Sequence, residues 1–245
     1  MERNITTLAI VLHSRRWGQT NRRLRLLSVD LGIIDVVNYG AQKSLKAVKA
    51  EVFCDGHFFL YHNPVKGDYT LKDLTPIADH REIRDELALN YTGLFFCELI
   101  SKTAGGESAA EYTLLSKALD LLSLHPERRE LTLIQFVHQL SGVLGVQVEL
   151  DHCPSCMRTY GADEIVHFSS TLGSQCCQEC ANLERSLILP PGARRYLTVT
   201  REMDFDEAVM VDLNEAALTR IKHYMLRYAQ YLCPSQLESA ASGLL

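Results

Sequence analysis

Cys153-Pro154-Ser155-Cys156 and Cys177-Gln178-Glu179-Cys180 are two C-x-x-C steps with 20 residues between them. Each step lets two thiolates from one tight turn reach the same ion, and two such turns fill a tetrahedral Zn²⁺ shell with four sulfurs. A shell filled by protein leaves no place for an activated water, so the chemistry expected here is structural. Cys176 precedes Cys177 and could take its place in the register, and His152 and His167 stand near enough in sequence to act as substitute ligands. Cys54, Cys97 and Cys233 fall at strand or helix positions and read as core thiols.

The second group is cationic. Arg15, Arg16, Arg22, Arg23 and Arg25 crowd the start of the chain, with Trp17 among them and Lys43, Lys46 and Lys49 following. Guanidinium groups make bidentate, salt-sensitive contacts with phosphate, and an exposed indole stacks on unpaired bases. The pattern points to nucleic acid, against the plainer reading of a soluble basic rim. On a strand, Arg23 and Arg25 share a face and Arg22 lies opposite. The overall net charge of −5 conceals a split. Residues 1–50 carry nine Lys/Arg against three Asp/Glu, whereas residues 81–245 carry 14 against 22. Phosphate binding is therefore expected at the N-terminal part. No Walker, Rossmann, H-E-x-x-H or G-x-S-x-G pattern occurs, and the scattered carboxylates mark no catalytic centre.

The elements that position these groups change character along the chain. The first 80 residues read as short strands: Thr6–His13, Arg23–Val29 and Ile33–Tyr39 about Asp30-Leu31-Gly32, Val52–Cys54 and His57–Tyr61 about a hairpin at Asp55-Gly56, and Tyr69–Ile77. That number of strands suits a small antiparallel barrel. Tyr39 to Lys49 reads as a basic loop. From residue 81 the period is helical. Ile83, Leu87, Tyr91, Leu94, Phe95 and Leu99 mark one buried face, and Ala104-Gly105-Gly106 ends that helix. Ser108 and Glu111 form a capping box for the next. Pro126 opens a third, with Leu133, Phe136, Val137, Leu140 and Leu144 inward and Gly145 at its end. Pro190-Pro191-Gly192 reads as a break. Asn214 caps a last helix with Leu218, Ile221, Met225 and Tyr228 on one face, stopped at Pro234 and followed by a frayed tail.

An apolar fraction of 47% and a charged fraction of 22% are those of a soluble globular protein. No apolar run is long enough for a membrane span, and eight cysteines without a secretory pattern suit a reducing, cytoplasmic setting.

Taken in order, these stretches resemble the RecO family of bacterial recombination mediators. The resemblance is carried by Ala9-Ile10-Val11-Leu12, by Arg15-Arg16-Trp17-Gly18-Gln19-Thr20, by Leu31-Gly32, by Tyr39-Gly40-Ala41 with Ser44, by the Leu-rich helices at 81–124 and by the cysteine pairs. Gln19 stands where members often have Glu. The resemblance spans residues 5–232. It implies an α+β multidomain chain: an OB-fold at 1–80, a helical domain beginning at 81–150 and closing at 186–245, and a zinc-ribbon-like insert at 151–185. It implies a non-enzymatic DNA repair factor, cytoplasmic and nucleoid-associated, that binds single- and double-stranded DNA and anneals complementary strands. With RecR, and often RecF, such a factor helps load recombinase onto DNA coated by single-stranded DNA-binding protein. That protein ends in an acidic tail with an apolar last residue. A tail of this kind is expected to dock on the helical domain, with Arg128 and Arg129 as cations at the pocket rim. Two other classes stay open: a zinc-ribbon scaffold that binds only proteins, and a nuclease whose acidic residues meet only in three dimensions.

Overall fold

The computed structural model describes residues 3–42, 48–103, 105, 107–169, 171–181 and 187–245. Lys43, Ser44, Lys46, Ala104 and Gly106 lie outside the described residues.

Five strands close into a barrel in the order β1-β2-β3-β5-β4: β1 Asn4–Trp17, β2 Asn21–Ser28, β3 Gly32–Asn38, β4 Asp55–Asn63 and β5 Asp68–Ala78. All pairs are antiparallel except β3 with β5, which is the OB arrangement. Inward side chains including Ala9, Val11, Leu24, Leu26, Val36, Phe58 and Leu60 fill it. β1 is apolar on both faces in its middle because Ile10 and Leu12 point outward into a second core, joined there by Leu27 and Phe53.

That second core is the helical body. It contains α1 Arg81–Asp85, α2 Leu87–Thr103, α3 Ser108–Leu124, α4 Arg129–Val143 after a 3-10 turn at Pro126–Arg128, α5 Pro191–Thr200, α6 Phe205–Met210, α7 Glu215–Leu232 and α8 Glu238–Ala241. Between α4 and α5 runs a small sheet of order β7-β6-β8, made of β6 Val166–Ser169, β7 Ser174–Cys176 and β8 Leu187–Leu189. Phe168 of β6 packs edge-on against Tyr224, Tyr228 and Tyr231 of α7, which ties this sheet to the same core. No helix among the described residues is long and apolar enough to cross a membrane.

Several local expectations give way to tertiary demands. Asp55-Gly56 is no hairpin; both residues lie inside β4. Gly56 is required by close packing, since a Cβ there would come within 2.9 Å of Pro76 Cα on β5. Asp55 is buried and accepts hydrogen bonds from Tyr112 Oη at 2.6 Å and Ser116 Oγ at 2.7 Å, both on α3. Leu87 is exposed, because the chain is extended at Glu86 and the helix restarts in a new phase. Glu86 caps that restart by accepting from Ala88 N and Leu89 N. Leu89, Phe96, Cys97 and Ile100 then join Phe95 and Leu99 in the core. The capping box at Ser108 does not form: Glu107 is the cap residue, without a side-chain bond, and Glu111 is buried. Pro191 does not break the chain but starts α5, where its missing N–H costs nothing. The tail is docked. Leu237 is fully buried, and Glu98 of α2 accepts from Glu238 N and Ser239 N, each at 2.9 Å, at the start of α8. Asn214 does cap α7, accepting from Ala217 N at 2.9 Å.

Candidate nucleic-acid interface and metal centre

The β1–β2 hairpin carries the arginines. Its register sets Arg15 opposite Arg23, Arg16 opposite Arg22 and Trp17 opposite Asn21. Like charges directly across two strands are destabilising, by about 0.2–1 kcal/mol per pair. Such a pairing favours an anion that neutralises both. Trp17 is 45% exposed and carries the Arg23 guanidinium at 5.1 Å and that of Arg15 at 5.8 Å over its ring. The indole and the cations therefore form one surface rather than separate features.

Carboxylates offset part of this charge. Asp35 on β3 pairs with Arg23 at 3.2 Å and Arg25 at 3.1 Å, placing those two arginines on one face. Arg22 turns the other way, to Ser14 Oγ at 3.1 Å and Glu51 at 2.9 Å. Burial pushes the Asp35 carboxyl up, but Arg25, Arg23 and Arg15 outweigh it and hold the group below its ordinary range, so it stays an anion. Arg15, Arg16 and Lys49 are exposed and make no ion pair within 4.0 Å among the described residues. Tyr39 belongs to the same barrel end and was not singled out by composition. It is 64% exposed, and the chain beside it is held to the hairpin by Gly40 N donating to Asn21 Oδ1 at 3.0 Å. The signal that could have found it is register: Arg22 pairs with Asn38, which puts Tyr39 level with the arginine strip.

Arg128 and Arg129 are already engaged within the chain. Arg128 Nη1 is bonded to Asp212, and Arg129 donates to Thr92 Oγ1 at 3.4 Å with Glu130 at 3.7 Å.

The four cysteines converge. The Sγ atoms of Cys153, Cys156, Cys177 and Cys180 all lie within 4.8 Å of one another. Metal–sulfur bonds of about 2.3 Å in a tetrahedron imply sulfur–sulfur edges of about 3.8 Å. Cys156 and Cys177 are separated by 3.8 Å, so the donor set fits one ion. Each pair sits in a tight turn. Met157 N donates to Cys153 O at 2.7 Å, with Met157 at φ 59°, and Cys180 N donates to Cys177 O at 3.1 Å. Burial pushes the Cys153 thiol up, but backbone N–H groups of Cys177, Cys156 and Ser155 outweigh it and bring the thiol down to about 6, which favours the thiolate a metal needs. Cys176 is not a member. As the last residue of β7 it faces the opposite side, donates to His167 O at 3.4 Å, and is pushed up to about 11 by burial. His152, beside Glu149 at 3.5 Å, and His167, on β6, also stand outside the cluster. Cys54, Cys97 and Cys233 are buried core thiols.

The chain thus joins an OB-like barrel with a cationic, aromatic hairpin to a helical body that carries a four-thiol knuckle. Residues 1–79 match the family model described as recombination protein O N terminal, and residues 84–240 match that described as recombination protein O C terminal. The chain is 28% identical over 229 residues to the DNA repair protein RecO of Bacillus pumilus, covering 91% of this chain and 87% of that one. It is 28% identical over 228 residues to the DNA repair protein RecO of Bacillus subtilis, with the same coverage of 91% and 87%. To the DNA repair protein RecO of Dehalococcoides mccartyi it is 27% identical over 224 residues, covering 88% and 85%. The chain belongs to the RecO family.

Proposed function

We propose that this chain is a recombination mediator that works without a catalytic step. It binds single- and double-stranded DNA on the barrel, anneals complementary strands, and helps load recombinase onto DNA coated by single-stranded DNA-binding protein. RecR, often with RecF, is its partner in that loading, and its setting is the bacterial cytoplasm. The observation that carries the reading is the facing pairs Arg15/Arg23 and Arg16/Arg22, with Trp17 beneath the Arg15 and Arg23 guanidiniums. Phosphate oxygens would relieve the cross-strand repulsion while bases stack on the indole.

The metal in this reading is one structural Zn²⁺ per chain. When bound, it supplies a closed four-thiolate crosslink and no reactive site. Cys153, Cys156, Cys177 and Cys180 would hold it. The acidic tail of the single-stranded DNA-binding protein is assigned to the helical domain, with Arg128 and Arg129 at the rim. Its carboxylate must then displace Asp212 or Glu130 from those arginines.

The test is a single-strand binding curve at two salt concentrations for the full chain and for R15E/R16E. Loss of two phosphate contacts flattens the salt slope by about 1.4. Trp17→Ala weakens binding by about 1–3 kcal/mol if the indole stacks on a base. Salt-independent association that survives both changes would assign the chain to protein scaffolding instead.

A further inference from the structure

The outward face of α7 carries Arg220, His223, Arg227 and Tyr231, at steps of three, four and four residues. That spacing keeps all four on one stripe of the helix. Arg220, His223 and Arg227 are exposed and have no hydrogen-bond or ion-pair partner among the described residues, and Tyr231 is 44% exposed. An ordinary solvated helix face intersperses both signs of charge. Here the sole acidic residue of α7 is Glu215, in the first turn, where the helix dipole favours it. The opposite face is fixed, since Ile221, Tyr224, Met225 and Tyr228 are buried in the core. The cationic stripe thus stands on a rigid support within the acidic part of the chain.

Tyr231 is held as a platform. Phe168 meets its ring edge-on at 5.1 Å. The turn at Gly173 abuts its hydroxyl end, where any Cβ would come within 2.9 Å of Cζ. From Arg220 to Arg227 the helix advances about 10 Å, and Tyr231 lies about 6 Å beyond. Cations in line with a fixed, exposed aromatic ring are what a single-stranded nucleic acid requires: phosphate contacts along its backbone and a flat partner for a base.

We infer that this stripe of α7 is a second single-strand track, separate from the β1–β2 hairpin, so that one molecule holds two strands. The inference rests on the barrel reading above in supposing that the first strand lies on the hairpin. An acidic polypeptide would match the arginines but would leave the tyrosine platform without use.

The experiment measures binding of a short oligothymidylate to four full-length proteins: the parent, R15E/R16E, R220E/R227E, and the variant with all four reversals. Between about 50 and 200 mM salt, two lost phosphate contacts remove about a sevenfold drop in affinity. The expected result is that R15E/R16E retains a salt-sensitive binding mode, and that adding R220E/R227E abolishes it. Protection of Tyr231 fluorescence from quenching in R15E/R16E, lost in Y231L, supports stacking. If R15E/R16E weakens binding and the α7 reversals add nothing, the second track is overturned while the barrel reading stands. If R15E/R16E binds as the parent does and R220E/R227E does not, the barrel reading fails and the α7 track stands. Displacement of a bound α7 ligand by polyglutamate but not by oligothymidylate would overturn the nucleic-acid assignment in favour of an acidic protein.

Discussion

Asp55→Ala tests how the barrel is fastened to the helical body. The Asp55 carboxylate on β4 accepts from Tyr112 at 2.6 Å and Ser116 at 2.7 Å, both on α3. Removing it strands two hydroxyl donors at a partly buried joint, and each costs at most about 1–3 kcal/mol when left without an acceptor. The gross penalty is therefore about 2–6 kcal/mol. Part of it is returned, because burial holds the Asp55 carboxyl above its ordinary range and removal relieves that desolvation. The net expectation is a loss of about 2–4 kcal/mol. Asp55→Asn keeps one acceptor oxygen and should lose about half as much, and Tyr112→Phe about 1–2 kcal/mol. The sole tryptophan, Trp17, lies in the barrel, so its fluorescence follows barrel unfolding while far-ultraviolet circular dichroism follows the helices. In urea the two signals should shift together in Asp55→Ala. A loss under about 1 kcal/mol, or a shift of the helical signal with the fluorescence transition unmoved, would refute the fastening role.

His80 should make stability depend on pH. Burial would push its pKa down, but the bonds to Asp120 at 2.9 Å and to Phe53 O at 2.9 Å, with the Asp120 and Asp55 charges, carry it above the ordinary 6.5. The folded pKa is raised, so this stabilisation is complete below 6.5 and is lost as pH rises through the folded value. Urea midpoints of the parent should fall across that window, and those of His80→Gln should stay flatter. Glu98 gives the opposite sign. Its carboxyl is pulled down to about 2 by Lys102, Ser239 and the α8 amides, against the effect of burial, so docking of α8 weakens as pH falls from 4.5 through about 2. Hydrogen exchange at Ser239 should speed up in Glu98→Gln at neutral pH. At the metal centre, Cys177→Ser should abolish stoichiometric zinc by metal analysis and Cys176→Ser should retain it; equal loss in both would undo the assignment. Gly56→Ala should cost about 2 kcal/mol or more, because the new methyl meets strand backbone that cannot move aside, and a variant with parental stability would contradict the packing.

Parts of this architecture can be read from residue order and others cannot, for identifiable reasons. The cysteine spacing foretells the cluster because two knuckles are local structures. The choice between Cys176 and Cys177 is not local, since it depends on β7 ending at Cys176 with that thiol turned to His167 O on β6. The arginine strip is legible, but its partners are not: Asp35 and Glu51 reach it from other strands and loops. Asp55-Gly56 misleads because the dipeptide has turn chemistry, while its place in β4 is set by Tyr112, Ser116 and Pro76, all distant in sequence. Leu87 misleads through helical periodicity, which carries no notice that Glu86 resets the phase. The docked tail is invisible in composition because Ser, Ala and Gly become ordered only through Glu98 and the burial of Leu237.

One hydrophobic core runs without interruption from Ile10, Leu12, Leu27 and Phe53 at the barrel's edge, through the helices, to Cys153, Val166 and Phe168 beside the four thiols. This continuity bears on how the protein can be dissected. An excised barrel would present those four edge side chains to water as a sticky patch and would self-associate or bind surfaces indiscriminately. DNA affinities measured on such a fragment would report adhesion mixed with recognition. The same continuity carries damage in the other direction. A chelator acting on the cysteines should lower the melting temperature recorded by Trp17, in a different part of the fold, because the core beside the thiols is continuous with the one against which the outer face of β1 packs.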